Sequence, residues 1–316
     1  MNTDYDVIIV GGGPSALAAA VYTCRALLKT VIFEKQVVGG QLVGTDLIEN
    51  YPGFPEVISG VDLIQRMEAQ AKRFGAEIRY EEVMKVQVEN GLKIVTTDTD
   101  TYGSHAVILA AGAEPKKLGV PGEKEFYGRG VSYCATCDGA FFKGKDVVVV
   151  GGGDSAITEA LFLTKFANTV QIIHRRNEFR ATKIYLDEAL TNPKIKVVFN
   201  AIVESIHGQD KVDGIVVQNV ITKEKKEMTC QGIFIFIGSV PNTGFLGTLL
   251  CEDVGCHIET NMHMETSIEG LYAVGDIRKN SYRQIATAVG EGVTAAIAAE
   301  HKLSELIALG KVKKEI

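Results

Sequence analysis

Two cysteines separated by two residues, Cys134 and Cys137, form the pattern in this chain that is best suited to redox chemistry. Two thiols at this spacing can close a small disulfide ring, and one thiol can resolve a mixed disulfide formed by the other. Half a zinc site is the alternative, but the sequence holds no second Cys-x-x-Cys and no spaced His pair to complete it. The pair therefore predicts a dithiol–disulfide centre without a metal.

A carboxylate, Asp138, directly follows the second cysteine. Thiol–disulfide exchange needs a proton donor and acceptor, and a carboxyl group can serve if partial burial raises its pKa. The alternative role for Asp138 is a helix cap. We take Asp138 as a candidate catalytic residue together with the two cysteines.

The same strand–turn–helix pattern occurs twice in the sequence. Val7 to Val10 reads as a buried strand, and it is followed by Gly11-Gly12-Gly13-Pro14-Ser15-Ala16 and an alanine-rich helix. Val147 to Val150, followed by Gly151-Gly152-Gly153-Asp154-Ser155-Ala156, repeats the pattern 140 residues later. A tight turn and a close pyrophosphate both demand residues without side chains, and the helix N-terminus supplies free N–H donors. Two dinucleotide sites are predicted; tight βα turns in another α/β fold are the alternative.

The two units differ in charge after their second strand. Glu34 lies 23 residues beyond Gly11, where a carboxylate can accept hydrogen bonds from a ribose diol. The second unit has His174-Arg175-Arg176 there and Arg180 shortly after, which suit a 2′-phosphate. A solvated basic patch is the alternative. The difference predicts FAD or NAD in the first site and NADPH in the second.

A flavin is the expected relay between these groups. Hydride transfer delivers two electrons and a disulfide accepts two, but nicotinamide and sulfur rarely react directly. FAD is therefore the expected occupant of the first site.

Length, composition and charge limit the number of domains, the possible partners and the location of the protein. With 316 residues, 46% of them hydrophobic, the chain has enough material for two packed domains. The net charge of −6 offers no basic face for nucleic acid. No segment has the pattern of a signal peptide or a membrane span, so we expect a cytoplasmic protein. Because that compartment is reducing, we expect ordinary thiols at the four other cysteines, which are Cys24, Cys230, Cys251 and Cys256.

Over essentially its full length, the chain resembles the low-molecular-weight, bacterial-type thioredoxin reductases, of the class-II pyridine nucleotide-disulfide oxidoreductases. The motifs that carry the resemblance are Gly11 to Ala16, Gly39-Gly40-Gln41-Leu42, Glu49-Asn50-Tyr51-Pro52-Gly53, Gly130-Val131-Ser132-Tyr133 with the following Cys-Ala-Thr-Cys-Asp-Gly run, Gly151 to Ala156 with Glu159, His174 to Arg180, and Gly275-Asp276 with Tyr282-Arg283-Gln284.

The resemblance implies residue roles. It implies that Cys137 faces the flavin, that Cys134 exchanges with the partner's disulfide, and that Asp138 is the general acid. With the glycine turn, it places FAD against Gly11, Gly13, Ala16, Glu34, Lys35, Gly40, Gln41, Asn50, Asp276, Arg283, Gln284 and Ile285. With the second turn, it places NADPH against Gly151, Gly153, Asp154, Ser155, His174, Arg175, Arg176 and Arg180.

The same resemblance implies a fold and partners. The fold is α/β with two Rossmann-like, three-layer ββα domains: an FAD-binding domain of residues 1–114 and 245–316, interrupted by an NADPH-binding domain of residues 115–244. The turn-rich segments Gly112 to Pro115 and Gly238 to Asn242 fit the two crossings. The family implies thioredoxin as the disulfide substrate and a homodimer.

Other functions remain open at this point. Electrons can go to another dithiol carrier, such as a glutaredoxin-like or peroxide-reducing protein. A flavin-dependent dithiol oxidase would run the chemistry in reverse, but it would not need Arg175, Arg176 or the second glycine turn. A sensor of nucleotide or redox state would not need Cys134, Cys137 and Asp138.

One position departs from the family. The first glycine motif usually ends in glycine, whereas here the position holds Ala16. Because a methyl group is tolerated at this helix–strand contact in many such folds, we expect a slight displacement of the first helix and no loss of FAD.

Overall fold

The computed structural model describes residues 3–45, 48–250 and 256–312. The chain divides into two compact units, one formed by residues 1–114 with 240–316 and the other by residues 115–239. The chain passes into the second unit after Glu114 and returns to the first at Val240, within the turn-rich segment Gly238 to Asn242.

The strands are β1 Tyr5–Val10, β2 Thr30–Phe33, β3 Glu77–Arg79, β4 Val83–Glu89, β5 Leu92–Thr97, β6 Thr101–Leu109, β7 Ala113–Pro115, β8 Val131–Ser132, β9 Asp146–Gly151, β10 Thr169–Ile173, β11 Ile195–Val198, β12 Ala201–Gly208, β13 Val212–Asn219, β14 Lys225–Thr229, β15 Gly232–Phe236, β16 Ser239–Pro241 and β17 Leu271–Ala273. The α-helices are α1 Pro14–Arg25, α2 Gly60–Arg73, α3 Ala135–Asp138, α4 Asp154–Leu163, α5 Lys183–Thr191 and α6 Ile285–Ala308. Among the described residues, no helix combines the length and apolar character needed to cross a membrane.

The larger unit is built on a sheet in the order β3-β2-β1-β6-β5-β4, with β17 also paired to β6. Strands β1, β2, β3 and β6 run parallel, and β4 and β5 extend the sheet in antiparallel pairing. The inserted unit has a parallel sheet in the order β11-β10-β9-β15-β8 and an antiparallel sheet β12-β13-β14. The predicted α/β fold with two Rossmann-like units is confirmed.

Strand β1 is covered on both faces, which explains its uninterrupted apolar sequence. Val7 and Ile9 pack on the side of α1, α2 and α6, whereas Ile8 and Val10 pack into a second core on the opposite face. Strand β9 repeats the arrangement in the inserted unit. Val147 and Val149 pack with α4, and Val148 and Val150 pack with β12 and β13.

Helices α1 and α6 pack against each other through small side chains. Ala16, Ala19 and Ala20 of α1 belong to the same core as Ala295, Ala296 and Ala299 of α6. The closest approach is at Gly292, where a β-carbon would lie 2.1 Å from the carbonyl oxygen of Ser15. Since neither backbone can move without disturbing the start of α1, Gly292 sets the distance between the two helices.

Gly292→Ala is therefore expected to destabilise the protein by about 1–3 kcal/mol, because the added methyl group overpacks a backbone contact. Gly290→Ala is the matched control: it lies in the same helix, and nothing lies within 4 Å of its β-carbon position. That change should be neutral or stabilise by roughly 0.5–1 kcal/mol. Thermal unfolding measures both, and an unchanged melting temperature for Gly292→Ala would contradict the packing argument.

Candidate redox and nucleotide sites

The redox pair lies just beyond the end of β8. Cys134 and Cys137 form a disulfide with their Cα atoms 5.3 Å apart, and Cys134 is the N-cap of the short helix α3. The Cys137 amide donates a hydrogen bond to Cys134 Sγ at 3.1 Å. Such an amide stabilises negative charge on sulfur once the pair is reduced. The predicted redox-active pair is thus present as a disulfide.

Asp138 closes the same short helix, and its side chain is half-buried. Burial raises the pKa of its carboxyl group, and a hydrogen bond from the Ser132 hydroxyl, at 2.5 Å, opposes that increase. A carboxyl group that keeps its proton to higher pH is better suited to act as an acid. The arrangement therefore combines a disulfide with a proton donor that is four residues from Cys134 and adjacent to Cys137.

The first glycine turn connects β1 to α1. Gly11 has a φ of +100°, and its amide donates to Phe33 O at 2.8 Å, which joins the turn to the end of β2. At Gly13, no atom lies within 4 Å of the β-carbon position, so the start of α1 faces open space. Free amides and open space at a helix N-terminus fit a pyrophosphate group.

Glu34 is oriented by this turn. The Gly12 amide donates to Glu34 Oε2 at 2.8 Å, and the Gln36 amide donates to Oε1 at 3.0 Å. The carboxylate is thereby fixed at the end of β2 beside the glycines. The position fits recognition of a ribose diol, as the sequence predicted.

The more distant candidate FAD residues of the same unit converge on this turn. Gly40 lies against Gly13, with 3.9 Å between the Gly13 Cα and the Gly40 β-carbon position. Gly275, next to Asp276, lies beside Ser15, since its β-carbon position is 3.1 Å from Ser15 Oγ. The chain thus brings together segments that are far apart in sequence.

The remaining candidate FAD residues make separate contacts within the same unit. Asn50 Nδ2 donates to Gln284 Oε1 at 3.2 Å, although 234 residues separate them, and Gln41 Nε2 donates to Ala113 O. Burial raises the pKa of Asp276, while Arg283 and a hydrogen bond from Ser281 oppose the shift. Lys35 is exposed beyond β2, and Ile285 begins α6.

The second glycine turn connects β9 to α4 in the same way. At Gly153, no atom lies within 4 Å of the β-carbon position, and Ser155 in the first turn of α4 is exposed. Asp154 Oδ1 accepts a hydrogen bond from the Thr182 amide at 2.6 Å, and the Arg180 amide donates to Gly152 O at 2.8 Å. These two bonds hold the arginine-containing segment against the turn.

Three arginines, Arg175, Arg176 and Arg180, lie on that segment. Arg175 and Arg180 are exposed, and none of the three forms an ion pair within the described part of the chain. Guanidinium groups without carboxylate partners fit a ligand with a 2′-phosphate.

His174 has a different place from its arginine neighbours. It is buried, its Nε2 donates to Glu178 O at 3.0 Å, and a β-carbon at Gly152 would lie 2.2 Å from its ring. Burial lowers the pKa of His174, and the charges of Arg176 and Arg175 lower it further. The His174 ring therefore packs directly against the second glycine turn at Gly152.

The redox pair and the second turn lie at one edge of one sheet. β8 leads into Cys134 and β9 ends at Gly151, and both strands pair in parallel with β15, which lies between them. Carboxyl ends of parallel strands meet at the same sheet edge. The redox pair and the second glycine turn therefore lie on the same side of the inserted unit.

The contacts of several residues of these sites are not evident from the sequence patterns, although Ser132 and Glu159 lie within the motifs named above. Ser132 contacts Asp138, Thr182 fixes Asp154, and Glu291 Oε2 accepts a hydrogen bond from the Gly275 amide at 2.6 Å. Glu159 Oε2 is buried with no hydrogen-bond partner within the described residues, and burial raises its pKa. An orphaned carboxylate oxygen on α4 can accept a hydrogen bond from a bound group.

The other cysteines only partly follow expectation. Cys24 and Cys230 are buried free thiols, and burial raises the pKa of Cys230 to about 12. Cys256 is disulfide-bonded, so the expectation of an ordinary thiol there was wrong, because compartment arguments do not predict which sulfur atoms a fold brings together. Cys251 lies outside the described residues. The described residues hold no group of three or more His, Cys, Asp or Glu side chains arranged to bind a metal.

Comparison with known proteins identifies the family. The model of the pyridine nucleotide-disulphide oxidoreductases matches residues 5–292. The chain belongs to this family. Thioredoxin reductase of Treponema pallidum (strain Nichols) is 47% identical over 306 residues, covering 97% of this chain and 99% of that protein. Thioredoxin reductase of Bacillus subtilis (strain 168) is 48% identical over 303 residues, covering 96% of each.

A solved structure agrees with this assignment. The crystal structure of thioredoxin reductase from Streptococcus pyogenes superposes with a TM-score of 0.88 at 43% identity, covering 95% of this chain and 98% of that one. The resemblance inferred from the sequence motifs to the low-molecular-weight bacterial type is confirmed.

The departure at Ala16 occurs in both glycine motifs of this family member. Ala16 and Ala156 are fully buried in the cores under α1 and α4. The β-carbon position of Gly151 is 2.6 Å from the methyl group of Ala156, so the alanine packs directly against the turn. In the first unit, the Ala16 methyl group is packed in the core under α1.

Ala16→Gly is therefore expected to lower stability by about 1 kcal/mol, because it adds backbone freedom and removes a packed methyl group. It should not increase the flavin content of the purified protein. Ala156→Gly is the matched change in the inserted unit. Flavin absorbance per chain and thermal unfolding measure the two effects, and a clear rise in flavin content for Ala16→Gly would show that the methyl group impairs FAD binding.

Proposed function

We propose that this chain is an NADPH-dependent thioredoxin reductase that uses FAD. The observation that carries the proposal is the Cys134–Cys137 disulfide beside the half-buried carboxyl group of Asp138, in a chain with two glycine turns that differ in charge. The family and the names of its relatives support the same activity.

FAD would be held by the larger unit. Gly11, Gly13 and the first turn of α1 would receive its pyrophosphate, and Glu34 its ribose. Ala16 would support that turn from the core, while Lys35, Gly40, Gln41, Asn50, Asp276, Arg283, Gln284 and Ile285 would complete the site. When bound, FAD supplies the two-electron relay between nicotinamide and disulfide.

NADPH would be held by the inserted unit. Gly151, Gly153, Asp154 and Ser155 would line its pyrophosphate, with Arg175, Arg176 and Arg180 on the 2′-phosphate. His174 would support the turn from beneath. A carboxylate in place of these arginines would repel the phosphate, so this charge pattern favours NADPH over NADH.

Thiol–disulfide exchange would then follow on the cysteines. Reduced Cys134 attacks one sulfur of the thioredoxin disulfide, which gives a mixed disulfide, and the departing sulfur takes a proton from Asp138. Cys137 next attacks the Cys134 sulfur, reforms the disulfide and releases reduced thioredoxin. Two electrons leave the chain in each cycle.

Two other reactions remain as alternatives, namely reduction of another dithiol carrier and flavin-dependent oxidation of a dithiol. A cytoplasmic location and a homodimer are part of the proposal, and both rest on the resemblance to the family. Sedimentation of the purified protein tests the dimer directly.

The decisive experiment is an anaerobic titration of the yellow protein, first with NADPH and in parallel with NADH, followed by oxidised thioredoxin. We expect NADPH to bleach the flavin at much lower concentration than NADH, and thioredoxin to restore the colour. Recovery with a glutaredoxin-like protein alone would favour the other carrier. Bleaching by a small dithiol but by neither nucleotide would favour the oxidase.

Loss of the two adjacent guanidinium groups should separate the nucleotides. The double variant Arg175→Ala with Arg176→Ala is expected to raise KM for NADPH by about 10-fold to 100-fold, since each lost charge-assisted contact is worth about 1 kcal/mol or more, and to leave KM for NADH nearly unchanged. Lys211→Ala with Lys226→Ala removes the same charge from exposed positions of the inserted unit and should change neither value. Equal losses for both nucleotides would rule out the 2′-phosphate assignment.

Removal of either sulfur should separate flavin binding from disulfide reduction. Cys134→Ser and Cys137→Ser are expected to keep the yellow flavin and to lose thioredoxin reduction by at least about 1,000-fold, because a dithiol is required for exchange. Cys24→Ala removes a buried thiol of the larger unit and should retain activity. Turnover in either serine variant would require a second pair of thiols.

A further inference from the structure

The hydroxyl group of Ser132 lies between the redox pair and the candidate acid. Ser132 ends β8, pairs with Phe234 of β15 and is 3% exposed. Its Oγ lies 2.5 Å from Asp138 Oδ2, 3.1 Å from the Cys134 amide nitrogen and 3.2 Å from the Cys134 carbonyl oxygen. One buried oxygen atom therefore contacts the acid and both backbone groups of a redox cysteine.

A hydroxyl group has one proton and two acceptor lone pairs. When Asp138 is ionised, Ser132 donates to Oδ2 and accepts from the Cys134 amide. When Asp138 is protonated, the carboxyl O–H can donate to Ser132 Oγ, and the Ser132 proton can turn to the Cys134 carbonyl oxygen. Every polar group keeps a partner in both states, and no heavy atom has to move.

We propose that Ser132 is a positioning residue whose hydroxyl group holds Asp138 beside the disulfide and reverses its hydrogen bond whenever Asp138 gains or loses a proton. This inference rests on the proposed function, in which Asp138 supplies a proton to the departing sulfur. That proton leaves the carboxyl group, the Ser132 proton rotates from Cys134 O to Asp138 Oδ2, and no electrons move in the rotation.

The ionisable groups on the elements that contact α3 do not perform this role in place of Ser132. Besides β8, which carries Ser132, α3 contacts α4 and the short 3-10 helix Gly139–Phe142. The ionisable residues of α4 are Asp154 and Glu159, and the 3-10 helix has none. Neither carboxylate affects the pKa of Asp138, whose raised value reflects burial, with the Ser132 hydrogen bond in opposition. Alanine cannot replace the hydroxyl group, whereas threonine can.

The test measures exchange without nucleotide or thioredoxin. The holoprotein is reduced with dithiothreitol, freed of reductant and mixed with an alkyl disulfide, whose departing sulfur takes up a proton at the pH of the assay. The loss of protein thiols is followed over the pH range in which the protein stays folded. The wild type, Ser132→Ala, Ser132→Thr and Asp138→Asn are compared. The fall in rate at high pH that is present in the wild type and absent from Asp138→Asn reports the loss of the Asp138 proton.

Ser132→Ala is expected to lower the maximal exchange rate about 10-fold, because the acid is no longer held in place. The fall should also move to higher pH, since the ionised carboxylate loses its donor and the proton is retained longer. Ser132→Thr should restore the wild-type profile. Ser104→Ala, which removes a fully buried serine hydroxyl group from β6, should leave both rate and profile unchanged.

Several outcomes would overturn the inference. A Ser132→Ala profile that is merely scaled down at every pH would indicate a structural role only. A displaced profile that persists in Ser132→Thr, or in Ser132→Ala with Asp138→Asn, would exclude the hydrogen-bond reversal. If Asp138→Asn has the wild-type profile, Asp138 is not the acid. If the protein fails to react with thioredoxin or NADPH, that result contradicts the proposed function and not the role of Ser132.

An infrared measurement covers the case in which Ser132→Ala does not fold. The difference spectrum between the wild type and Asp138→Asn isolates the carbonyl band of the protonated Asp138 carboxyl group. A band shifted by hydrogen-bond donation to Ser132 supports the proposal. A band at the position of a free carboxyl group would overturn it.

Discussion

The whole arrangement depends on two backbone contacts that leave no space for a side chain. A β-carbon at Gly11 would lie 2.6 Å from the carbonyl oxygen of Ala110, and one at Gly151 would lie 2.4 Å from that of Phe236. Each contact fixes a helix start against the end of a neighbouring strand, β6 in one unit and β15 in the other. The direction of the helix, and hence of its free amides, follows from this contact.

With the glycine turn fixed, the residues that follow the neighbouring strand determine which ligand the turn can bind. That strand is β2 in the larger unit and β10 in the inserted unit. In the larger unit that position holds Glu34, whose carboxylate is held by the Gly12 amide. In the inserted unit the equivalent space under Gly152 is filled by His174, and the arginines beyond it have no carboxylate partner within the described chain. The same backbone design therefore presents a carboxylate in one unit and guanidinium groups in the other.

Local patterns were enough to predict both strand–turn–helix units and the redox pair, because each depends on residues close in sequence. The contacts that complete the sites were not predictable in this way. Asn50 and Gln284 are 234 residues apart, and the Glu291 contact with Gly275 depends on where α6 crosses the sheet. The disulfide at Cys256 was missed because the state of that cysteine was argued from the expected compartment.

The parallel sheet of the inserted unit explains how the redox pair and the second glycine turn come to lie close together in one compact unit. β15 separates β8 from β9 and pairs with both, so the residues that follow β8 emerge at the edge where β9 turns into α4. The four-residue helix after β8 makes about one turn, and the hydrogen bond that the Asp138 amide donates to Cys134 O fixes the backbone and not the carboxyl group. A buried hydroxyl group on the strand itself supplies the missing constraint, and it links the rigidity of the sheet to the acid without adding a second charge.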